Sequence, residues 1–496
     1  MELRVNTMRV KNNRNFINSL FIACFFLILL VPILLINRGK NQVSEIDNRK
    51  LVEFPALKIG TGFRKGFESY LSDRIGFRVE MLDVYQRINA DIFKKLVHPS
   101  YMFGEDGYVF FKGGYISDYQ HLNINEAYIE KCASYIDSIY RYLEKRKIKF
   151  LYFFIPDKKT VYKEYFPKTI HVKGSQSQAQ ILLEKLERKG VPFVFPLEQF
   201  LEAKKNLQIY NKQYDAGHWN DHGALIGHSL ILQRLREYFP EIDPVEKRNF
   251  TISTTTKTSL PVSHFRISED VPVYKIKKSE MRQIADFENF IKKRRVLVYR
   301  NLQKPDKPKI MIFHDSYFLK LNEYYGSNFS EIIAIHSFDN LKNIEEFVNF
   351  FEPDVVLLEN VERVISPQSM LFSLKNMQHT VLSDFSLLNL PVSEKTPKVR
   401  FVGKHNEIVV SRNESVCAIA GNALDPDGKA GKALFAKVGT SIFPMQYSND
   451  VEKERGNFAI SLRREILDNA EEISFSLISS DGKTKFKAVA FPIVKK

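Results

Sequence analysis

The sequence predicts an α/β fold built on a mostly parallel sheet, followed by a C-terminal all-β sandwich and led by a transmembrane helix. Three observations carry that reading. From residue 126 to about 360, short β-branched or aromatic runs alternate with amphipathic helical stretches, the pattern of strand–helix–strand units. From about Pro397 the chain changes to short alternating runs between turn signals such as Asp425-Pro426-Asp427-Gly428 and Asp481-Gly482, which suits a sandwich. Residues 16–36 are apolar apart from Asn18 and Ser19, and span the roughly 20 residues that a bilayer core requires.

A chain of 496 residues exceeds one ordinary core. The division expected is a tail and anchor at 1–40, an α/β domain at 41–395 and a sandwich at 396–496. The anchor reads as uncleaved, because the apolar run is longer than a signal-peptide core and no small-x-small site follows it. Pro32 is tolerable in a membrane helix. Arg4, Arg9, Lys11 and Arg14 precede the run, and Arg38, Lys40, Arg49 and Lys50 follow it, so the positive-inside rule does not choose an orientation.

Residues 41–65 are polar and read as a stalk. Residues 67–96 carry Phe67, Tyr70, Leu71, Ile75, Leu82, Tyr85, Ile88, Ile92 and Phe93 at helical spacing. Residues 101–111 read as a hairpin turning at Asp106-Gly107. Residues 126–147 form a long amphipathic pattern, and 148–155 are a continuous apolar run closed by Pro156, the mark of a strand buried on both faces. A helix over 176–189 stops at Gly190, a strand follows at 191–195, and a helix is expected over 223–238. Further strands are expected at 296–299, 310–313, 332–335 and 355–358. The Thr-, Ser- and Lys-rich stretch 248–280 reads as an excursion from the sheet.

The formal charge is +15, from 73 Lys and Arg against 58 Asp and Glu. These charges are spread along the chain, and neither zinc-finger spacing, an RNP-like motif nor a basic helix concentrates them, which argues against nucleic acid. A basic exterior suits anionic polysaccharides or a membrane surface. The three cysteines, Cys24, Cys132 and Cys417, form neither a disulfide framework nor a metal pattern. Buried thiols are expected for Cys132 and Cys417.

Two motifs bear chemistry. Ser316 follows the strand 310–313 within His314-Asp315-Ser316, and a residue just past a parallel strand sits in the crevice where open α/β sheets bind ligands. Such a serine needs a neighbouring base to become a nucleophile. Its bland alternative is a helix N-cap. The run Asp215-Ala216-Gly217-His218-Trp219-Asn220-Asp221 supplies the base and its orienting carboxylate: His218 can turn one ring nitrogen to Asp215 and the other to a serine. The bland alternative is an Asx turn ahead of a helix. A metal site at His218 and His222 competes, but residue 219 is Trp where a zinc hydrolase carries Glu. His228 reads as packing or surface. No cofactor or metal is expected.

Several local motifs resemble the membrane-anchored, SGNH-hydrolase-like proteins of bacterial polysaccharide O-acetylation, the alginate O-acetyltransferase and DHHW group. They are Asp47-Asn48-Arg49-Lys50-Leu51 with Phe54-Pro55; Asp73-Arg74-Ile75-Gly76-Phe77-Arg78; Gly104 through Phe110; Ile155-Pro156-Asp157-Lys158; and Val355 through Arg363, VVLLENVER. The resemblance covers roughly residues 15–390. It implies an SGNH-like three-layer α/β domain and carries catalytic roles to Asp215, His218 and Ser316. The family's Gly-Asp-Ser turn has histidine, His314, in place of glycine here. Two residues separate Asp215 from His218, where the family often has one.

What the resemblance implies is an O-acyltransferase, acetyl being the expected group, acting on an exported or cell-surface polysaccharide. It also implies a multi-spanning membrane O-acyltransferase as donor partner and an extracytoplasmic catalytic domain. A carbohydrate esterase with the same triad and a non-catalytic glycan-binding subunit are the rival readings. In the leading reading residues 397–496 would hold the acceptor polymer while Ser316 acylates it, with aromatics such as Phe443 and Tyr447 stacking on sugar rings; the bland alternative is that these rings are core.

Overall fold

The computed structural model describes residues 2–39, 43–44, 49–56, 61–122, 124–261, 265–285, 287, 294–366, 369, 371–402, 407–411, 414–448 and 457–496. Asp47 and Asn48 of the juxtamembrane motif lie outside them.

Helix α1 (Glu2–Leu34) contains the stretch Phe16–Leu34, which among the described residues is the one helix long and apolar enough to cross a membrane. The helical spacing read over 67–96 belongs to two helices, α2 (Thr61–Arg74) and α3 (Arg78–Asp91). The break has a tertiary cause. The Gly76 N–H donates to Pro32 O (2.9 Å), and a Cβ on Gly76 would lie 2.6 Å from Leu35 Cβ, so the break receives the end of α1. Phe77 then takes a left-handed conformation, φ 57°. Arg74, nearly fully buried, donates to Val52 O (2.7 Å), Asn37 O (3.2 Å) and Gly39 O, tying the segment after α1 to the α2–α3 corner.

Strands β1 (Tyr101–Phe103) and β2 (Val109–Phe111) pair antiparallel, and Asp106 and Gly107, both at positive φ, make the turn. Helix α4 (Glu126–Lys145) starts at Asn125, whose side chain accepts from Tyr128 N, and β3 (Lys149–Ile155) follows it. Helix α5 (Gln178–Lys189) has a Ser177–Gln180 capping box and ends at left-handed Gly190. After the short strand β4 (Phe193–Val194), helix α6 (Asp221–Leu235) starts two residues before Gly223. The Asn220 side chain caps it by accepting from His222 N and Gly223 N. The stretch expected to leave the sheet is a long hairpin, β5 (Phe250–Ser259) with β6 (Arg266–Ile276). Strands β7 (Met281–Ile284), β8 (Val296–Asn301), β9 (Lys309–His314) and β10 (Glu331–His336), helix α7 (Ile344–Phe351) and strand β11 (Val355–Val361) complete the domain.

The central sheet runs β4-β3-β11-β9-β10-β8-β7. The first five strands are parallel, and β8 and β7 close one edge antiparallel. Residues alternate between two buried faces: Met311 and Phe313 pack with α4, α5 and α7, while Ile310 and Ile312 pack with α6. Double burial explains why residues 150–155 of β3 and 355–358 of β11 read as unbroken apolar runs. This is a three-layer SGNH-like α/β domain with a mixed sheet.

The C-terminal region is β-rich and folds as two sheets over one apolar cluster. One orders Val392–Ser393, Lys485–Phe486, Glu472–Ile478, Ala433–Val438 and Ser441–Pro444; the other orders Lys398–Phe401, Val416–Leu424, Phe458–Arg463 and Gln446–Tyr447. Phe443 is fully buried in that cluster, and half-buried Tyr447 donates its hydroxyl to Ala423 O (2.9 Å). The expected aromatic platform is therefore core, not surface. Arg463 of this region places its guanidinium 3.1 Å from both carboxylate oxygens of Glu331 on β10, with both side chains buried. Cys132 and Cys417 are free thiols; the first is buried and the second partly so.

Candidate active site

Strand β9 delivers Ser316 at the C-terminal end of the parallel sheet. The Asp315 carboxylate accepts from Tyr317 N (2.8 Å) and from Val361 N at the end of neighbouring β11 (3.0 Å). The Asp315 N–H donates to Glu359 Oε2 (2.9 Å). These three bonds fold the chain so that Asp315 and Tyr317 are buried while Ser316 between them is exposed. The serine is thus held in a turn and caps no helix, since the next helix starts only at Leu321. His314, where the resemblance has glycine, costs nothing in backbone strain: no residue from 314 to 317 has a positive φ. Its ring Nδ1 lies 2.8 Å from Asp315 O.

The second part comes from the loop before α6. Asp215 Oδ1 accepts from the backbone N–H groups of Gly217 and His218, 2.9 Å each, and its Oδ2 lies 2.8 Å from His218 Nδ1. On the other side of the ring, His218 Nε2 lies 2.8 Å from Ser316 Oγ. The structure thus brings Asp215, His218 and Ser316 into one hydrogen-bonded line although 98 residues separate the last two. Burial pushes the Asp215 carboxyl upward, but the bonds from His218 and the two backbone donors overcome this and hold it well below its ordinary value. An ionised Asp215 fixes the proton on Nδ1, which leaves Nε2 to accept from the serine hydroxyl. Among the described residues the N–H of Ser316 meets no acceptor, so it remains a donor for an anion forming beside Oγ.

Tyr317 fastens the two parts together. Its carbonyl accepts from Trp219 Nε1 (3.1 Å), its hydroxyl donates to Gly217 O, and its ring lies 4.7 Å from the His218 ring. Trp219 lies against Phe318 and against α6 at Gly227, where a Cβ would sit 2.7 Å from the indole. Arg363 donates to the Tyr317 hydroxyl (3.0 Å) and pairs with buried Asp157, its guanidinium lying over the Phe111 and Tyr317 rings.

Beneath the loop, buried Lys158 donates to Val109 O (2.7 Å), Lys212 O (3.0 Å) and Asp215 O (3.0 Å). Burial pulls its ammonium down to about 7, against the raising effect of the Asp215 and Glu269 carboxylates. Fully buried Glu359 is shifted the other way, well above the carboxylate range, first by burial and then by Asp315.

Not every histidine of the motif joins the site. His222 Nδ1 lies 2.7 Å from the Tyr274 hydroxyl, and His228 is buried against Tyr324 and Tyr325, where burial pulls it down to about 3. Asp221 accepts from Tyr274 N and Lys320. Asp157, Lys158, Glu359 and Arg363 lie in motifs that carry the resemblance but receive no role from the sequence, and Tyr317 is not marked by it at all. A signal existed: charged residues directly after or inside fully apolar strand runs demand buried partners.

Residues 102–311 match the family model described as the SGNH hydrolase-like domain of acetyltransferase AlgX. The match contains Asp215 and His218 and stops short of Ser316. No curated protein matches the chain. Among solved structures, Bacillus cereus PatB1 carrying a sulfonyl adduct is 15% identical, with 55% of this chain and 96% of PatB1 covered at a TM-score of 0.42. The O-acetyltransferase domain of Pseudomonas putida AlgJ is 14% identical, covering 54% and 92% at 0.37. Pseudomonas aeruginosa AlgX is 12% identical, covering 83% and 86% at 0.36. The likeness to the SGNH hydrolase-like domain of acetyltransferase AlgX thus spans residues 102–311 of the 496-residue chain.

Proposed function

We propose that the chain is an O-acetyltransferase that acts on an exported or cell-surface polysaccharide through Ser316, His218 and Asp215. The observation that carries this reading is the pair of 2.8 Å contacts on opposite nitrogens of one imidazole. In the first half-reaction His218 Nε2 takes the proton as Ser316 Oγ attacks the donor's acetyl carbonyl. The tetrahedral oxyanion meets the Ser316 N–H, His218 returns the proton to the leaving oxygen, and an acetyl ester remains on Ser316. In the second half a sugar hydroxyl takes water's place: His218 removes its proton, the alkoxide attacks the acetyl carbonyl, and Ser316 leaves with that proton. Asp215 holds the tautomer throughout and offsets the charge of the imidazolium.

Phe16–Leu34 would fix the chain to the membrane, with the α/β domain on the extracytoplasmic side where such polymers pass. One span cannot carry acetyl groups through a bilayer, so a multi-spanning membrane O-acyltransferase is the donor partner in this reading. A polysaccharide esterase would form the same acyl-enzyme. Acetate release from an acetyl ester, followed with and without polysaccharide, separates the two. The proposal expects the polymer to become acetylated and free acetate to fall correspondingly, both lost in Ser316→Ala. Unchanged acetate release with no polymer ester would make the protein an esterase.

A further inference from the structure

The later apolar residues at helical spacing in 67–96 form a stripe that is not buried. No residue of α3 is buried in the domain. Phe77, Met81, Val84, Tyr85, Ile88 and Ile92 recur at intervals that put them on one side of a helix, and all are exposed, from 42% at Met81 to 69% at Ile92. Away from the stripe, Asp83 lies 3.7 Å from Arg266 of the β5–β6 hairpin and pairs with Arg87 within the helix (2.8 Å), while Val79 is also exposed. An apolar stripe of this length on a water-facing helix needs an occupant.

The neighbouring chain identifies that occupant. The apolar segment of α1 ends at Leu34, and the α2–α3 corner is bonded directly to that end, through Gly76 N to Pro32 O (2.9 Å) and Asn37 N to Arg74 O (2.8 Å). The stripe begins at Phe77, one residue after this contact. If Phe16–Leu34 spans a bilayer, the first turn of α3 stands where the hydrocarbon gives way to head groups. The helix carries Arg78 and Arg87 against Glu80, Asp83 and Asp91, and Lys94 and Lys95 follow it, so the apolar stripe and not net charge would hold it at the interface.

We propose that α3 lies in the membrane–water interface, with its Phe77–Ile92 stripe turned into the lipid, so that the domain rests on the bilayer instead of swinging on a tether. This rests on reading α1 as a membrane span. Leu96, just beyond the helix, shares one buried cluster with Val109 and with Ala216, the residue beside Asp215. Interfacial docking would therefore hold the Asp215–His218 loop at a fixed relation to the membrane surface, on the side from which a membrane-embedded acyl donor would arrive.

The test uses the full chain in nanodiscs of mixed zwitterionic and anionic lipid, with single nitroxide labels in a background lacking the other cysteines. Labels at Val84→Cys, Ile88→Cys and Ile92→Cys are compared with the native Cys24 position inside the span and with Ser480→Cys on the far C-terminal region. Circular dichroism confirms that each labelled chain is folded. The proposal expects the three α3 labels to resemble Cys24: readily reached by oxygen, and screened several-fold from a water-soluble nickel chelate relative to Ser480→Cys. Nickel access at the α3 positions equal to that at Ser480→Cys, with Cys24 still screened, would overturn interfacial docking and leave the anchor standing. Labels shielded from both agents would mean that protein, a second copy of the chain, covers the stripe, and would also overturn it. Nickel access at Cys24 itself would remove the span, and the inference with it.

Discussion

Ser316, His218 and Asp215 depend on one another through single atoms, so their substitutions have distinct signatures. Ser316→Ala removes the atom that would carry the acetyl group in the proposed mechanism and should lower acetyl-ester turnover by at least about 1,000-fold, with an unchanged thermal melt. Asp215→Asn is subtler. Its amide can present an N–H to Nδ1, which moves the ring proton to Nε2 and leaves no acceptor for the serine hydroxyl. Turnover should fall by roughly 1,000- to 10,000-fold with little change in KM. Lys158 makes a prediction about stability instead. Its folded-state value is about 7 and its ordinary value 10.5. Between those limits the unfolded chain binds the extra proton, so stability should rise with pH across that window. The slope approaches about 1.4 kcal/mol per pH unit from this group. Denaturation midpoints measured from pH 7 to 10 should show the rise in the parent and lose it in Lys158→Met; an identical slope in both would contradict the assignment.

At the scale of elements, the site exists because two short segments are pinned to neighbouring strands and helices. Trp219 is wedged between α6 and the turn after β9, and its indole leaves no room at Gly227. Gly227→Ala should cost about 1–3 kcal/mol by overpacking and lower turnover together with the melting temperature, because His218 is the next residue. Restored stability and turnover in Gly227→Ala combined with Trp219→Phe would trace the effect to that contact. Elements governed by local patterns were legible in the sequence: β3 as an apolar run closed by Pro156, α5 with its capping box, and α4 with its apolar stripe. The break between α2 and α3 was not, because it answers to Pro32 and Leu35, some forty residues away. The start of α6 was readable in principle, since Asn220 is a ready N-cap, but Gly223 suggested a later beginning.

At the scale of the whole molecule, the β-rich C-terminal region and the α/β domain share a buried ion pair, Glu331 with Arg463, whose guanidinium also lies over the Phe287 ring. Removing Arg463 leaves buried Glu331 with Arg300, at 3.9 Å, as its cationic neighbour. Arg463→Met should cost about 3–5 kcal/mol, and the double variant with Glu331→Met less than the sum of the single costs. Additive losses in denaturant melts would mean that the two carboxylate contacts contribute no coupling. Pairings of this kind were beyond the sequence, since nothing local marks Glu331 in a strand or Arg463 in another as partners. The same limit applied to Phe443, whose burial depends on a second sheet closing over it. Asp215, His218 and Ser316, by contrast, were legible because each occupies a position defined by a local pattern: a strand end, and a polar loop before a helix.

The central claim is that Ser316 carries the acetyl group, and the most direct test is intact-mass and peptide mass spectrometry of the full chain quenched during turnover of an activated acetyl ester. The account predicts a single acetyl group on the peptide containing Ser316, enriched when the quench is early, discharged on adding polysaccharide, and absent from Ser316→Ala. A folded chain that hydrolyses or transfers acetyl groups with no adduct on Ser316, or with the adduct on another residue, would contradict it.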